Sequence, residues 1–203
     1  MYFDSFYLDV VHDILGFGKI ARALYRKASG FGLKILVCSP RLTPSQIADN
    51  QVELVSFPEL LQRSDYLSIH VPLNSETHHL FSLDVFHQMK PSAFLVNTSR
   101  GAVIQERALL TALNEGLIAG AALDVLTTEP PDLSDSLIRH PRAVITPHAA
   151  FNSEESVEEL QATAAAQMAD VFSGNLPPSV VNPGVLGQPN LRATFVGSGS
   201  SGR

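Results

Sequence analysis

The sequence holds a single cysteine, Cys38, in 203 residues. It cannot pair within the chain, which excludes a disulfide framework and a cysteine-rich zinc site and fits a reducing compartment. Positive charge is also scarce. Against 20 Asp and Glu stand only 14 Lys and Arg, a formal net charge of −6. With no basic cluster to offset that, a nucleic-acid partner is not expected. No apolar run reaches about 18 residues, so no membrane span or membrane partner is expected. The N-terminus has no basic stretch ahead of an apolar one, so no secretory signal is read and the expected location is the cytoplasm. No internal repeat is present. What remains, 45% hydrophobic and 17% charged residues, is ordinary for an α/β protein. The length suits one domain, or one domain with appendages, burying roughly 70% of the unfolded surface.

The most informative stretch is Leu15-Gly16-Phe17-Gly18-Lys19-Ile20-Ala21, a G-x-G-x-x-A dinucleotide-binding fingerprint. Gly16 permits a sharp turn off a strand, because glycine enters positive φ without steric cost. Gly18 has no side chain to hold a pyrophosphate away from the backbone. Ala21 lets the following helix lie close on a sheet. That helix presents free N–H groups and a positive dipole end to phosphates. The match alone is weak, and its context decides it. An apolar run precedes it, and Ile20, Ala23, Leu24, Ala28 and Phe31 follow at helical spacing. Gly30 and Gly32 end the helix, and a second apolar run, Leu33 to Cys38, follows.

The first strand is expected from about Leu8 to Leu15, although His12 and Asp13 interrupt it. Two ionisable residues in a central parallel strand are expensive unless paired. Further strands are expected at Glu53–Ser56, Tyr66–Val71, Ala93–Asn97, within Leu117–Asp124 and at Ala143–Ile145. Helices are expected at Pro58–Arg63, Leu83–Met89 and Gln105–Asn114, with a short one beginning at Thr43-Pro44-Ser45. Residues 125–142 form a long loop, a length usually tied to function. An alanine-rich helix runs from the apparent N-cap Ser153 to about Phe172. The expected fold is therefore a Rossmann-like doubly wound parallel sheet with helices on both faces and a C-terminal helix. Residues 1–183 form the dinucleotide-binding domain, and 184–203 a flexible Gly/Ser-rich tail.

In such sheets ligands sit beyond the C-terminal ends of the strands. Three ionisable residues fall there: Arg100 after the fifth strand, Glu129 after the sixth and His148 after the seventh. An arginine grips a carboxylate bidentately. A histidine moves a proton near neutral pH, and a carboxylate orients it. Taken singly, each has a plainer reading as a surface or loop residue. His78-His79 lacks ligand spacing and a carboxylate cluster, so no metal site is expected.

With these motifs in place the sequence resembles the NAD-binding domain of the D-isomer-specific 2-hydroxyacid dehydrogenases. The resemblance is carried by the Gly16–Ala21 turn, His70-Val71-Pro72-Leu73 with Glu76-Thr77, Met89-Lys90-Pro91, Asn97-Thr98-Ser99-Arg100-Gly101, Gly120–Val125 with Glu129-Pro130, and Thr146-Pro147-His148. It covers about residues 14–183. It implies an oxidoreductase moving a hydride between a nicotinamide and C2 of a small 2-hydroxy or 2-oxo acid. By the same resemblance Arg100 binds and polarises the substrate, His148 is the acid/base and Glu129 its partner. Gly16, Gly18, Lys19 and Ile20 contact the pyrophosphate. Val71 and Pro72 line the adenosine side, Thr77 lies in the same motif, Thr98 borders the nicotinamide and Asp124 holds its carboxamide. A homodimer is the expected assembly.

Two departures from the family pattern stand out. Only about a dozen residues precede the glycine turn, so the family's flavodoxin-like substrate domain, roughly 100 residues, is expected to be absent. The helix from Ser153 is then expected to leave one face exposed. At the end of the second strand, Ser39 stands where NAD-preferring members carry an acid, and Arg41 follows close by. Ser39 and Arg41 leave both NAD and NADP open as the cofactor. The alternative to an enzyme is a truncated nucleotide-binding module that holds NAD(P) without efficient turnover.

Overall fold

The computed structural model describes residues 10–40, 42–47, 52–188, 191 and 195. Residues Leu8 and Asp9 of the expected first strand, Arg41, and most of the 184–203 tail lie outside the described residues. The chain divides into two compact units, Met1–Ala150 and Phe151–Arg203.

The first unit alternates strand and helix. It runs β1 (Val11–Leu15), α1 (Lys19–Ala28), β2 (Lys34–Cys38), β3 (Val52–Leu54), α2 (Phe57–Arg63), β4 (Tyr66–Ile69), α3 (Leu83–Phe86), β5 (Phe94–Asn97), α4 (Glu106–Glu115), β6 (Gly120–Leu123) and β7 (Ala143–Ile145). The strands form one sheet in the order β3-β2-β1-β4-β5-β6-β7. Every pair is parallel, with Leu15 level with Cys38 on one side and Ile69 on the other. Strand order reverses between β1 and β4, and in an open parallel sheet the crevice for a ligand opens at such a point.

Side chains alternate across the pleat, and the two faces bury different cores. Leu15, Leu36, Leu67, Ile69 and Leu95 join Leu109 and Leu113 of α4 on one face. Ile14, Ile35 and Val37 join Ala21 and Ala28 of α1 on the other. Ala21 is fully buried, which accounts for a small residue at the third fingerprint position. Phe31, expected on the apolar face of α1, instead lies beyond it in a 3₁₀ turn and is 73% exposed. The helix stops at Ala28, and the left-handed residue that ends the turn is Gly32, φ 70°. α3 is shorter than expected because its last bonds tighten. Gln88 and Met89 donate to carbonyls three residues back, and Pro91 follows. The segment after Thr43 is a 3₁₀ turn, Pro44–Gln46, closed by a capping box.

β1 tolerates its two ionisable residues differently. Asp13 is completely buried, accepts from Leu36 N at 3.3 Å and is met by the Ser64 hydroxyl. His12 faces the opposite side, stacked on the Tyr66 ring, which in turn stacks on Phe94 across the next strand pair. Its Nε2 is buried with no hydrogen-bond partner among the described residues, and burial holds its pKa below the usual histidine value. A neutral imidazole is the form such a site accepts.

The second unit contains α5 (Glu154–Phe172), started by a capping box between Ser153 and Ser156. No residue of α5 is buried, and Leu160, Met168 and Phe172 are exposed. Pro183–Gly187 form a 3₁₀ turn. Among the described residues no helix is long and apolar enough to cross a membrane.

Candidate functional site

The fingerprint turn sits at the topological switch point. Gly16 has φ +88°, and a Cβ there would lie 2.9 Å from the His70 carbonyl oxygen. The turn is thus pressed against the end of β4, and only glycine meets both demands. Gly18 is the N-cap of α1, and among the described residues no atom beyond its chain neighbours and the backbone of its own helix lies within 4 Å of the Cβ it lacks. It opens on a cleft of about 470 Å³ that Lys19, Ile20, Val71, Pro72, Thr98 and Arg100 also line. Ile20, 71% exposed, faces solvent at this cleft instead of filling the core. The first turn of α1 carries no acidic side chain. Unspent N–H groups, a positive dipole end and open space at Gly18 together fit a pyrophosphate. The residues present therefore fit a dinucleotide.

The adenosine side is less complete. Ser39 follows β2, and its carbonyl accepts from Leu42 N at 3.0 Å. Thr77 is engaged within its own turn, its hydroxyl donating to Pro72 O at 2.6 Å and accepting from Asn74 N at 2.9 Å. It thereby shapes the Val71-Pro72 wall. His78 and His79 have ring centroids 3.9 Å apart. Among the described residues no group of three metal-binding side chains occurs.

Arg100 emerges from the C-terminal end of β5 on a turn built by Asn97. The Asn97 side chain is fully buried, donates to Arg100 O at 3.0 Å and accepts from Ser99 N and Oγ. The guanidinium is exposed and donates to Ser99 O at 2.6 Å. Among the described residues it forms an ion pair with no carboxylate, so its charge is available to an anion in the cleft.

His148 and Glu129 meet directly. His148 Nδ1 lies 2.8 Å from Glu129 Oε2, while Oε1 accepts from Leu126 N at 2.9 Å. The hydrogen bond from His148 comes first among the causes that hold the Glu129 carboxyl below its usual range. A carboxylate at Nδ1 favours the ring form with a proton on that nitrogen. His148 has φ +53°, a left-handed conformation that is uncommon for a residue with a Cβ and that gathers at functional sites.

Asp124 holds that conformation. It is 6% exposed at the end of β6, and accepts from Thr146 Oγ1 at 2.5 Å and from the amides of Ala149 and Ala150 at 2.9 and 3.0 Å. Burial pushes its pKa up, but these three donors outweigh it and leave the carboxyl below the usual range. The role read for Asp124 by resemblance concerned the carboxamide. In the structure its two oxygens already clasp the turn that carries His148.

The sheet thus brings His148 and Glu129 into contact, ties Asp124 to them, and sets Arg100 and the glycine turn on the same edge. Sequence reasoning quoted Asn97 and Thr146 only as motif letters and passed over Glu106. A polar residue closing an apolar strand, as Asn97 does, is the signal that pointed to such a role.

The family and the fold are shared with known proteins. Residues 11–150 match the family described as D-isomer specific 2-hydroxyacid dehydrogenase, NAD binding domain. The glyoxylate reductase of Thermococcus litoralis is 41% identical over 173 residues, which is 85% of this chain and 52% of that protein. The NAD-complexed D-isomer specific 2-hydroxyacid dehydrogenase of Lactobacillus delbrueckii ssp. bulgaricus superposes with a TM-score of 0.78 at 28% identity, over 86% of this chain and 56% of that one. An acyclic imino acid reductase in complex with NADPH and D-Arg gives a TM-score of 0.73 at 28% identity, over 81% and 52%. The chain spans about half the length of the glyoxylate reductases it matches.

Proposed function

The chain belongs to the D-isomer-specific 2-hydroxyacid dehydrogenase family through its NAD-binding domain, and on that premise we propose that it serves in hydride transfer between NAD and C2 of a small 2-hydroxy or 2-oxo acid. The observation that carries this reading is the His148–Glu129 contact at 2.8 Å, on the sheet edge that also bears Arg100 and the glycine turn. NAD, when bound, supplies or accepts the hydride.

The side chains do the rest. Arg100 binds the substrate carboxylate with the guanidinium donors that its bond to Ser99 O leaves over. In the reducing direction His148, protonated, donates from Nε2 to the carbonyl oxygen, and in the oxidising direction the neutral ring takes that proton from the hydroxyl. Glu129 stabilises the imidazolium and keeps Nδ1 as the donor to itself. Asp124 keeps the His148 turn in its left-handed shape and stands beside the expected carboxamide. Gly18, Lys19 and Ile20 receive the pyrophosphate, Val71, Pro72 and the Thr77 turn wall the adenosine side, and Thr98 borders the nicotinamide.

Glyoxylate is the substrate to assay first, because curated relatives at 41% and 40% identity are named glyoxylate reductases. These names favour an enzyme over a module that only holds cofactor. Either NAD or NADP suits the site, because Ser39 carries no charge to repel a 2′-phosphate. A cytoplasmic location accords with the one free, buried cysteine, Cys38. The exposed Leu160, Met168 and Phe172 of α5 support a homodimer. The test is NADH oxidation by glyoxylate, for the chain and for His148→Ala. Turnover that survives unchanged in His148→Ala removes the acid/base role.

A further inference from the structure

Arg100 and the His148–Glu129 pair leave different strands, and a shift of about 1 Å between groups that act on one substrate costs roughly a hundredfold in rate. The residue directly after Arg100 supplies one restraint. A Cβ on Gly101 would fall 2.1 Å from the Leu126 carbonyl carbon and 2.4 Å from Thr127 N. The backbone of 126–127 therefore lies flat on Gly101. The second restraint comes five residues later, where α4 begins. Glu106, half-buried in its first turn, accepts from Thr127 N at 2.6 Å. It forms an ion pair with no cation among the described residues. Two residues beyond Thr127 stands Glu129, which closes its own turn on Leu126 N.

Taking Arg100, Glu129 and His148 as the reacting site, we propose that Glu106 is a positioning residue, fixing the 126–129 loop against Gly101 and so setting the separation between Arg100 and the His148–Glu129 pair. Thr127 is exposed, so without Glu106 water satisfies its amide. The loop then shifts, and the fold does not fail. The bond accepted by Glu106 needs an oxygen and not a charge, which makes glutamine the conservative replacement.

The experiment compares Glu106→Gln with Glu106→Ala in the full chain. Both remove the charge, but only the second removes the acceptor. Three quantities are read: the titration of the ¹³C-labelled Glu129 carboxyl, kcat/KM for glyoxylate with NADH, and the Kd of NADH. In Glu106→Ala the Glu129 carboxyl is expected to titrate at a higher pH than in Glu106→Gln, because its hydrogen bond from His148 loosens. In the same variant kcat/KM is expected to fall roughly ten- to a hundredfold, carried by kcat, with the Kd of NADH unchanged. Glu106→Gln is expected within about threefold of wild type, on the scale of a small positional change. Identical titrations for the two variants overturn the positioning role, whatever the kinetics. If the titrations separate but no form of the chain turns over, the positioning role stands and the catalytic reading fails.

Discussion

Asp13 offers a perturbation whose size can be worked from the structure. It sits in the middle of β1, three residues before Gly16, and is completely buried. Burial pushes its pKa from 3.8 up to about 7, against the opposing effects of the Ser64 hydroxyl, Leu36 N, Arg63 and Lys90. Ser64 also donates to Leu60 O at 2.6 Å. A protonated Asp13 therefore completes a one-way chain, donating to Ser64 Oγ, which donates to Leu60 O. The folded state holds this proton up to about pH 7, whereas the unfolded chain releases it near 3.8. Between those values the native state binds more protons, so this group's contribution to stability falls as pH rises. At about 1.4 kcal/mol per pH step the loss approaches roughly 4 kcal/mol above pH 7. Asp13→Asn mimics the protonated acid at every pH, its NH₂ donating to Ser64 and its carbonyl accepting from Leu36. Urea unfolding of both proteins from pH 4 to 8.5 measures the difference. His12 and His70, whose pKa values burial lowers, add stability as pH rises through the histidine range, but they cancel in that difference. The variant is expected to match wild type near pH 4 and to exceed it by up to about 4 kcal/mol at pH 8. A difference that does not change with pH refutes the buried-proton reasoning.

Three other outcomes follow from the site. His148→Asn keeps a residue that tolerates positive φ, so stability is expected within about 1 kcal/mol of wild type while turnover falls by a factor of roughly 100 to 10,000; chemical denaturation and NADH oxidation read the two separately. Gly18→Leu meets open space and is expected to fold normally but lose NADH binding, whereas Gly16→Ala strikes the His70 carbonyl and is expected to lower the thermal midpoint; nicotinamide fluorescence and calorimetry tell them apart. Arg41→Ala, at a residue outside the described ones, is expected to weaken NADPH by about 1–3 kcal/mol and leave NADH nearly unchanged if Arg41 pairs with the 2′-phosphate; equal losses for both cofactors make it a bystander.

Much of the fold was legible because its signals are local. The glycine turn, the cap at Ser153 and the apolar runs each state their structure within a few residues. Ends moved where a neighbour intervened. α3 closed early as its last turn tightened, and Phe31 fell outside α1 because the chain turned before it. The site divides in the same way. His148, Glu129 and Arg100 were readable as polar residues closing strands. The partners of Asp13 and Asp124 were not, since Ser64 lies 51 residues from Asp13 and Ala149 lies 25 from Asp124. No periodicity reports a contact at that range. Glu106 was hidden for a further reason: an acid in the first turn of a helix is already explained by the helix dipole, and nothing in its surroundings in sequence points to Thr127.

The central claim, that this chain moves a hydride to C2 of a small oxo acid, is tested most directly by following the atom itself. NADH carrying deuterium on the transferable position of C4 is incubated with the chain and glyoxylate, and the glycolate formed is read by mass spectrometry. Glycolate bearing a single deuterium on C2, formed at least about 100-fold more slowly by His148→Asn, is the predicted result. Tight NADH binding with no deuterated glycolate would contradict the claim and leave a nucleotide-binding module in its place.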